Sequence, residues 1–475
     1  MKKIYMLLST VLLFGVGHLT AQITDLHDFS TSSDPYADVT IGGNKLFGAA
    51  YSGGSNGFGY FFSVNKDGSG FKDIWDCNDT GSILGNSNGY DPYGDVTVIK
   101  SKLYGFNYEG GAYGYGNIFR IDTNGTGYKD LHDFNDTTGE YIGWGALTVV
   151  GNKFFGMTYE GGAYGYGVIF SMDTNGAGYK DLFDFNDTTG GYGESATLAV
   201  YKNKLYCMTY EGGANDSGVI FSIDTNGNGY KDLVDLNRSK GYYSYGFLTL
   251  VNNKLFGMTY YGGAHDSGVV FSVDTDGAGY KNIVDMDSST GYYTYGGLTL
   301  CRNKLYGMTQ YGGARDSGVL FSIDTNGTGF KHLYDFGGGS KTAYYPYGNN
   351  ITISTDTLFG MTYTGGLNSS GELFRLQDTV LLTGVNRINL PKGVVNVYPN
   401  PNNGRFTVYC NTEAKENMLI EVYNVIGEKV YTGSLKNTMG NNQVDLSANS
   451  SGVYLYRVIT VDGALVKQGK IVIEQ

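Results

Sequence analysis

The stretch Asn253-Lys254-Leu255-Phe256-Gly257-Met258-Thr259 (NKLFGMT), closely followed by the pair Gly262-Gly263, decides the fold because near copies of it recur along the chain. The fifth position of the copies falls at Gly48, Gly105, Gly156, Cys207, Gly257, Gly307 and Gly360, at intervals of 57, 51, 51, 50, 50 and 53 residues. A Gly-Gly pair follows every copy. Such a regular period indicates a repeat architecture in which each copy is one supersecondary unit.

Each copy contains four short apolar segments separated by turns. In the fifth copy these are strand A (248–250), strand B (254–260), strand C (269–274) and strand D (280–286). Strands B and C are apolar on both faces, which is typical of strands that are covered on both sides. Four strands in about 50 residues is the size of one β-propeller blade. The sequence therefore predicts an all-β fold built of four-stranded blades.

The two ends of the repeat block predict how it closes. Residues 23–29 match strand D of the second copy (128–134), but no strand A, B or C precedes them. The seventh copy has strands A, B and C and then departs from the pattern. Joining the first segment to the last copy removes two exposed sheet edges. We therefore predict a seven-bladed β-propeller whose last blade is completed by the N-terminal strand. An open solenoid is the alternative, but it needs capping repeats and none is visible.

The repeat block resembles the GloVer-type tandem repeat of bacterial surface proteins, a choice-of-anchor surface protein class. The family pattern of P-x-G-L-x-L, N-x-L-Y-G-T-T, G-G and G-x-x-F is similar to the segments 295–300, 303–309, 312–313 and 318–321. Met308 stands where that pattern often has Thr. The resemblance covers the whole repeat block and implies no known reaction. We therefore assign no catalytic residues and expect no cofactor.

Short alternating segments separated by Asn, Gly and Pro turns follow a linker and predict a small immunoglobulin-like β-sandwich. They resemble the type A sorting domain of the type IX secretion system. The residues that carry this resemblance include Tyr398, Pro399, Asn400, Pro401, Gly427, Gly452 and Tyr454. The resemblance implies transit through the periplasm, recognition by the type IX machinery at the outer membrane, and then release or attachment at the cell surface.

The first residues read as a cleavable export signal. Two lysines precede an apolar run (4–16) that is too short to span a bilayer, and small residues lead to a predicted cut between Ala21 and Gln22. The predicted domains are therefore a signal peptide (1–21), a propeller (22–378), a linker (379–393) and a sorting domain (394–475). No later apolar run reaches about 18 residues, so no membrane span is expected in the mature chain.

Net charge and amino-acid composition limit the classes of partner and structure that fit this chain. The net charge is −12 and the pI about 4.9, which disfavours nucleic acid as a partner because an acidic surface repels phosphates. The chain combines 75 Gly with 43 Tyr and 25 Phe, and this mixture indicates tight turns between aromatic-rich strands rather than disorder. Four cysteines fall at unrelated repeat positions, so we expect free thiols and no metal site.

One aspartate recurs in strand D of every copy, whereas an active site is normally unique. We interpret these seven as structural residues that hold loop N–H groups. They are Asp28, Asp76, Asp133, Asp184, Asp235, Asp285 and Asp335. The C–D turns, such as 122–125 and 224–227, faintly resemble calcium loops but lack the later bidentate Glu, and hairpin turns explain them.

The B–C and D–A loops of a four-stranded blade emerge on one side of the repeat block, here called the loop face, and the A–B and C–D turns emerge on the opposite turn face. The loop face is predicted to carry tyrosines, whose flat ring and polar tip suit sugars or peptides. The candidate ligand residues are Tyr108, Glu109, Tyr159, Glu160, Tyr210, Glu211, Tyr242, Tyr243, Tyr245, Tyr292, Tyr293 and Tyr295. A second cluster, 344–347, belongs to the same face.

Two functions fit this face. The first is a non-enzymatic binding or structural protein, secreted or attached to the cell surface, that binds carbohydrate or peptide. The second is a carbohydrate-active enzyme, a glycoside hydrolase or lyase, because paired carboxylates such as the three glutamates can do acid–base work. An enzyme should break the sevenfold equivalence with one or two unusual polar residues near the axis. The even repetition favours binding, and the alternative packing of the tyrosines between blades remains open.

Overall fold

The computed structural model describes residues 23–30, 33–78, 86–338, 343–346, 350–377, 393–412, 418–424, 429–435, 439–460 and 465–474. The predicted signal cleavage site at Ala21 and Gln22, linker residues 379–392, Tyr347 and Gly427 lie outside these residues. The chain divides into a repeat unit, residues 1–381, and a C-terminal unit, residues 382–475. Within the described ranges the protein is all-β and contains no helix, and so no helix that could cross a membrane.

The described residues of the first half of the repeat unit form sixteen strands, which we number in chain order. They are β1 (Ile23–Asp28), β2 (Thr40–Gly42), β3 (Lys45–Ala50), β4 (Tyr60–Asn65), β5 (Lys72–Asp76), β6 (Asn86–Tyr90), β7 (Thr97–Ile99), β8 (Lys102–Asn107), β9 (Glu109–Gly111), β10 (Asn117–Asp122), β11 (Lys129–Asp133), β12 (Glu140–Ile142), β13 (Thr148–Val150), β14 (Lys153–Glu160), β15 (Val168–Asp173) and β16 (Lys180–Asp184).

The second half is more regular. It contains β17 (Ala199–Tyr201), β18 (Lys204–Met208), β19 (Val219–Asp224), β20 (Lys231–Asp235), β21 (Thr249–Val251), β22 (Lys254–Met258), β23 (Val269–Asp274), β24 (Lys281–Asp285), β25 (Thr299–Cys301), β26 (Lys304–Thr309), β27 (Val319–Asp324), β28 (Lys331–Asp335), β29 (Thr352–Ser354), β30 (Thr357–Met361) and β31 (Glu372–Gln377).

Seven antiparallel sheets with the A-B-C-D order arise from these strands. The first is β2-β3-β4-β5 and the second β7-β8-β10-β11. The third is β13-β14-β15-β16, with β12 added beside β14, and the next three are β17–β20, β21–β24 and β25–β28. The seventh, here called the closing sheet, is β29-β30-β31-β1 and combines both ends of the unit. A small additional pair, β6 with β9, lies outside the repeat pattern.

Strand β1 occupies the strand D position of the closing sheet. It runs antiparallel to β31, with Ile23 opposite Leu376 and Asp28 opposite Glu372, and the Phe29 N–H donates to the Gly371 carbonyl at 3.1 Å. The register shifts between Asp25 and His27. The same irregularity recurs in the C–D pair of all six other sheets. A β-bulge of this kind re-aims the strand that carries it, so β1 behaves as an ordinary strand D.

The glycine of the NKLFG motif makes room for an aromatic side chain. A Cβ built on Gly257 would lie 2.6 Å from Cζ of Phe271, which strand C places directly opposite. The same close approach occurs at Gly156 with Phe170 and at Gly360 with Phe374. Cys207 is the exception, and its thiol donates to the Thr197 carbonyl at 3.4 Å. The motif therefore recurs because the centre of each sheet packs a phenylalanine across strand B.

Hydrophobic cores lie between successive sheets, and hydrogen bonds link the inner A strands. Thr97 Oγ1 donates to the Leu147 carbonyl and Thr148 Oγ1 to the Leu198 carbonyl, each at 3.1 Å. Thr352 Oγ1 donates in the same way to the Val39 carbonyl, which links the closing sheet to the first sheet. Phe29 packs in the same core as Phe62 and Phe359. The first and last sheets are therefore direct neighbours.

The C-terminal unit contains two antiparallel sheets that share one core. Its strands are β32 (Gly393–Tyr398), β33 (Arg405–Thr412), β34 (Met418–Tyr423), β35 (Lys429–Leu435), β36 (Met439–Asp445), β37 (Gly452–Thr460) and β38 (Leu465–Ile473). One sheet has the order β32-β33-β36 and the other β35-β34-β37-β38. Val408, Ile420 and Val458 are fully buried between them. Asn400 is tied to β38, since its amide donates to the Lys470 carbonyl and its Oδ1 accepts from the Val472 N–H.

The cysteines form no disulfide. Cys77, Cys207 and Cys410 are buried and Cys301 is half-buried. Burial raises the pKa of the Cys77 thiol well above its usual range.

Candidate ligand-binding face

The recurring strand D aspartates cap the B–C loops. In each sheet the Oδ1 atom accepts a backbone N–H from the residue after the Gly-Gly pair, at 2.5 to 2.9 Å. The donors to Asp28, Asp76, Asp133, Asp184, Asp235, Asp285 and Asp335 are Leu367, Ser55, Ala112, Ala163, Ala214, Ala264 and Ala314. The seven carboxylates therefore shape the loops of the loop face.

The C–D turns on the opposite side are held by their own hydrogen bonds. In the second sheet the Gly125 N–H donates to the Asp122 carbonyl at 2.8 Å, and Asn124 Oδ1 accepts the Thr126 N–H and hydroxyl. The Asp122 carboxylate pairs with Lys102 at 2.5 Å. Local turn chemistry and an ion pair thus account for these residues.

All twelve candidate ligand residues on the loop face are half-buried. Tyrosine rings of this face stack in pairs, in which one ring comes from the end of strand B and the other from the D–A loop that follows. The centroids are 4.8 Å apart for Tyr108 and Tyr141, and 4.6 Å apart for Tyr260 and Tyr293. Tyr210 and Tyr243 stack at 4.6 Å as well. Such offset stacks fix the ring positions while leaving part of each ring exposed.

The D–A loops hold their tyrosines in a left-handed backbone conformation. The residues concerned are Tyr141, Tyr192, Tyr243, Tyr293 and Tyr345, with φ between 52° and 61°, and Asp91 takes the same place in an earlier loop with φ of 55°. Bulky residues rarely adopt this region. The loop is held on both sides, since the Tyr243 N–H donates to the Ser217 carbonyl and its own carbonyl accepts from Tyr260. Such strain persists only where surrounding contacts impose it, and it is typical of functional sites.

Trp144 lies among aromatic residues from several sheets. Its ring centroid is 5.1 Å from Tyr93, 5.6 Å from Tyr295 and 5.9 Å from Tyr245. The side chain of Trp144 is 7% exposed. The D–A loops of sheets that are distant in sequence therefore converge on one aromatic centre, which sequence reasoning did not predict. The signal was present, because Trp144 is one of only two tryptophans in the chain.

A pocket of about 200 Å³ opens beside this centre and is lined by Tyr93, Tyr108, Trp144, Tyr159, Glu194 and Tyr245. Burial, reinforced by the charge of Glu211, raises the pKa of Glu194 to about 8. Burial likewise raises the pKa of Tyr108 to about 12. Glu194 is therefore largely protonated at neutral pH, so it can donate as well as accept a hydrogen bond.

The three glutamates predicted from the sequence lie around this pocket rather than in its wall. Glu160 is opposite Glu140 in the β12–β14 pair, and Glu211 acts on Glu194 through its charge. The lining acid, Glu194, was missed. Counting back from Leu198, Leu248 and Leu298, it takes the place of Ser244 and Thr294 in the next two loops, so a comparison of the copies could have found it.

A second group of acids lies in the closing sheet. Asp25, Asp28 and Glu372 each bring a carboxylate oxygen within 4.8 Å of the other two, which is close enough to consider a cation. Glu372 is 2% exposed and its Oε2 has no hydrogen-bond partner among the described residues. Burial, with the charges of both aspartates, raises the pKa of Glu372 to about 8. Protonation of Glu372 reduces the repulsion among the three acids without a cation.

Comparison with known protein families identifies two matches along the chain. The family model described as Gloeobacter/Verrucomicrobia repeat matches residues 12–192, 79–251 and 233–386, and the model described as secretion system C-terminal sorting domain matches residues 396–474. A search of curated proteins finds no match.

Among solved structures, the extracellular domain of the putative one component system BT4673 from B. thetaiotaomicron is 12% identical, with a TM-score of 0.50 over 82% of this chain and 44% of that chain. PorZ, a bacterial surface component of the type-IX secretion system of Porphyromonas gingivalis, is 14% identical, with a TM-score of 0.49 over 94% and 60%. This chain therefore spans about half the length of these two proteins. The β-propeller domain of the Trilobed protease from Pyrococcus furiosus is 9% identical, with a TM-score of 0.45 over 75% and 95%.

Proposed function

We propose that this chain, which belongs to the Gloeobacter/Verrucomicrobia repeat family, binds a carbohydrate or peptide ligand through its loop face. The type IX sorting domain at residues 396–474 makes it a secreted or cell-surface protein whose partner during export is the type IX secretion machinery. The ligand and its recognition are the proposal.

The proposed architecture is a seven-bladed β-propeller over residues 22–378, closed by the N-terminal strand. The pairing of β1 with β31 and the hydrogen bond from Thr352 to the Val39 carbonyl support closure. A signal peptide (1–21), a linker (379–393) and an immunoglobulin-like sorting domain (394–475) complete the proposed layout. Two sheets around one core support the last of these.

The observation that carries the binding proposal is the array of half-buried tyrosines on the loop face, several of which have a strained backbone. Tyr243 and Tyr293 keep a left-handed backbone although glycine would adopt it at no cost. Retaining the phenol there is consistent with a role for the ring itself. Rings held in place by stacking lose little entropy when a ligand binds, and they present both an apolar face and a hydroxyl.

A glycan and peptide array with the full chain tests this proposal. Tyr243→Gly and Tyr293→Gly remove the rings at backbone positions that suit glycine, so the fold should be retained. We expect each to weaken binding about tenfold, since central aromatic residues carry most binding energy. Tyr164→Ala is the matched control, because this tyrosine is 62% exposed and is not one of the candidate ligand residues. Equal binding by the glycine variants and the parent would reject the proposed face.

A carbohydrate-active enzyme is the second candidate, and Glu194 is the observation that favours it. A carboxylic acid that stays protonated at neutral pH beside aromatic rings has the property needed of a general acid. The test is release of reducing ends or unsaturated products from a polysaccharide panel. Activity that is lost in Glu194→Gln and kept in Glu109→Gln would establish the enzyme and displace the binding proposal.

A further inference from the structure

A cavity of about 550 Å³ lies on the turn face between the first and second sheets. It is bounded by the A–B turns of both sheets and the C–D turn of the second, so it is separate from the loop-face pocket. Phe47, Ile74 and Val98 form its apolar wall, and Lys45, Lys72 and Lys100 contribute three ammonium groups. None of the described residues that line it is acidic. This is unusual in a chain with a net charge of −12.

The positive charge arises because one ion pair of the repeat is missing. In sheets two to six, the lysine that begins strand B pairs with the aspartate that ends strand C, at 2.5 to 2.8 Å. In the first sheet Lys45 is opposite Asn65 instead. The Lys45 Nζ donates to the Ser63 hydroxyl at 3.4 Å and forms no ion pair with any described residue. One lysine that is neutralised in five other sheets is therefore uncompensated here.

A second departure in the same sheet shapes the wall of the cavity. Strand A of the first sheet ends at Gly42, where the other six sheets end at Ile99, Val150, Tyr201, Val251, Cys301 and Ser354. A Cβ built on Gly42 would lie 2.7 Å from the Phe47 ring and 3.3 Å from Val98, both of which line the cavity. Gly42 therefore makes room for the Phe47 ring in the cavity wall, as the glycine of the NKLFG motif makes room for the phenylalanine of strand C.

We propose that this cavity binds a saccharide that carries an oxyanion group, either a carboxylate or a phosphate. Three ammonium groups supply charge-assisted hydrogen bonds to the anion. The hydroxyls of Ser63, Ser101 and Thr123 suit the polar rim of a sugar, and the apolar wall suits its carbon face. The changes at Asn65 and Gly42 are both specific to the first sheet, and both affect residues that line this one cavity.

Isothermal titration of the full chain tests this with three probes: di-galacturonate, glucose 6-phosphate and neutral lactose. We expect at least one anionic probe to bind about tenfold more tightly than lactose, and binding to weaken as salt is added. The two anionic arms distinguish the source of the oxyanion, and binding of either supports the site. Equal affinity for lactose, or no binding of either anion, overturns it.

The repeat itself supplies the matched variants. Asn65→Asp restores the ion pair of the other sheets, so it should keep the fold and weaken anion binding about tenfold. Gly42→Val places a side chain against the Phe47 ring, which must then shift within the cavity wall, and it should weaken binding. Lys254→Ala removes a lysine that is paired with Asp274 in the fifth sheet and should change nothing. If the Asn65→Asp variant and the Gly42→Val variant both bind the anion as tightly as the wild type, the proposed site is overturned. The loop-face experiments do not depend on this outcome.

Discussion

The closing sheet and the sixth sheet have the same strand order and the same bulge, yet they differ in what fills strand C. Val319 begins strand C of the sixth sheet opposite Asp335, whereas Glu372 begins strand C of the closing sheet opposite Asp28. Both side chains are almost fully buried. The backbone of the closing sheet is therefore as well paired as that of a continuous sheet. Its side chains, however, place Glu372 close to Asp25 and Asp28, and these three acids repel one another. The backbone pairing and the burial of Phe29 therefore hold the junction of the chain ends together despite this repulsion.

The largest expected effect comes from Phe29, which is fully buried in the core between the closing and first sheets. Phe29→Ala should lower the free energy of unfolding by about 3–5 kcal/mol, the usual cost of such a cavity. Phe185→Ala is the matched control, because Phe185 is equally buried after strand D of the third sheet. Denaturant unfolding measures both. A loss of less than about 1 kcal/mol for Phe29→Ala alone would mean that β1 is dispensable for the fold.

Glu372→Val copies the regular sheets and should stabilise the protein. Burial raises the pKa of Glu372 to about 8 and that of Asp25 to about 6, so the native state binds more protons than the unfolded chain across that range. Stability that depends on these protons is present at acidic pH and is lost as the pH rises towards 8. The variant should therefore raise the melting temperature by a few degrees, mostly above pH 7. Thermal melts at pH 5 and pH 8.5 measure this, and a gain that is the same at both pH values would contradict it.

The smallest effect concerns the aspartate caps. Asp235→Ala should cost about 1 kcal/mol, because it leaves the Ala214 N–H without its acceptor. Asp28→Ala removes the corresponding bond to Leu367 but also relieves repulsion with Glu372, so it should cost less. Chemical denaturation of the two variants side by side provides the measurement. An equal or larger cost for Asp28→Ala would show that the acids of the closing sheet do not oppose one another.

The sequence was sufficient for the parts of the fold that repeat. Seven copies of one pattern predicted the strands, and the unmatched segment 23–29 predicted a partner for the last copy, which the β1–β31 pairing provides. The strand pair β6–β9 and the extra strand β12 were not predicted, since they depend on loop lengths that differ between copies. The long-range pairing of β1 with β31 could be predicted only because the repeats showed that the seventh copy lacks a strand D.

The candidate site was less predictable. The tyrosine loops were placed on one face from topology alone, but their left-handed backbone follows from hydrogen bonds between sheets, such as the one from Tyr243 to Ser217. Trp144 and Glu194 were missed for a related reason. Their importance depends on which side chains point inward from loops that are distant in sequence, and no local pattern encodes that direction.

The left-handed tyrosines also bear on how this face can diversify. At these five positions the backbone admits glycine, and asparagine or aspartate with little penalty, but it resists valine, isoleucine and threonine. Asp91 already shows one permitted exchange. In a library randomised at these D–A loop positions, the left-handed backbone should therefore eliminate β-branched residues at the folding step, before any selection for ligand binding. The variants that fold would carry only a few residue types at these positions, such as glycine, asparagine and aspartate, whichever ligand was used for the selection.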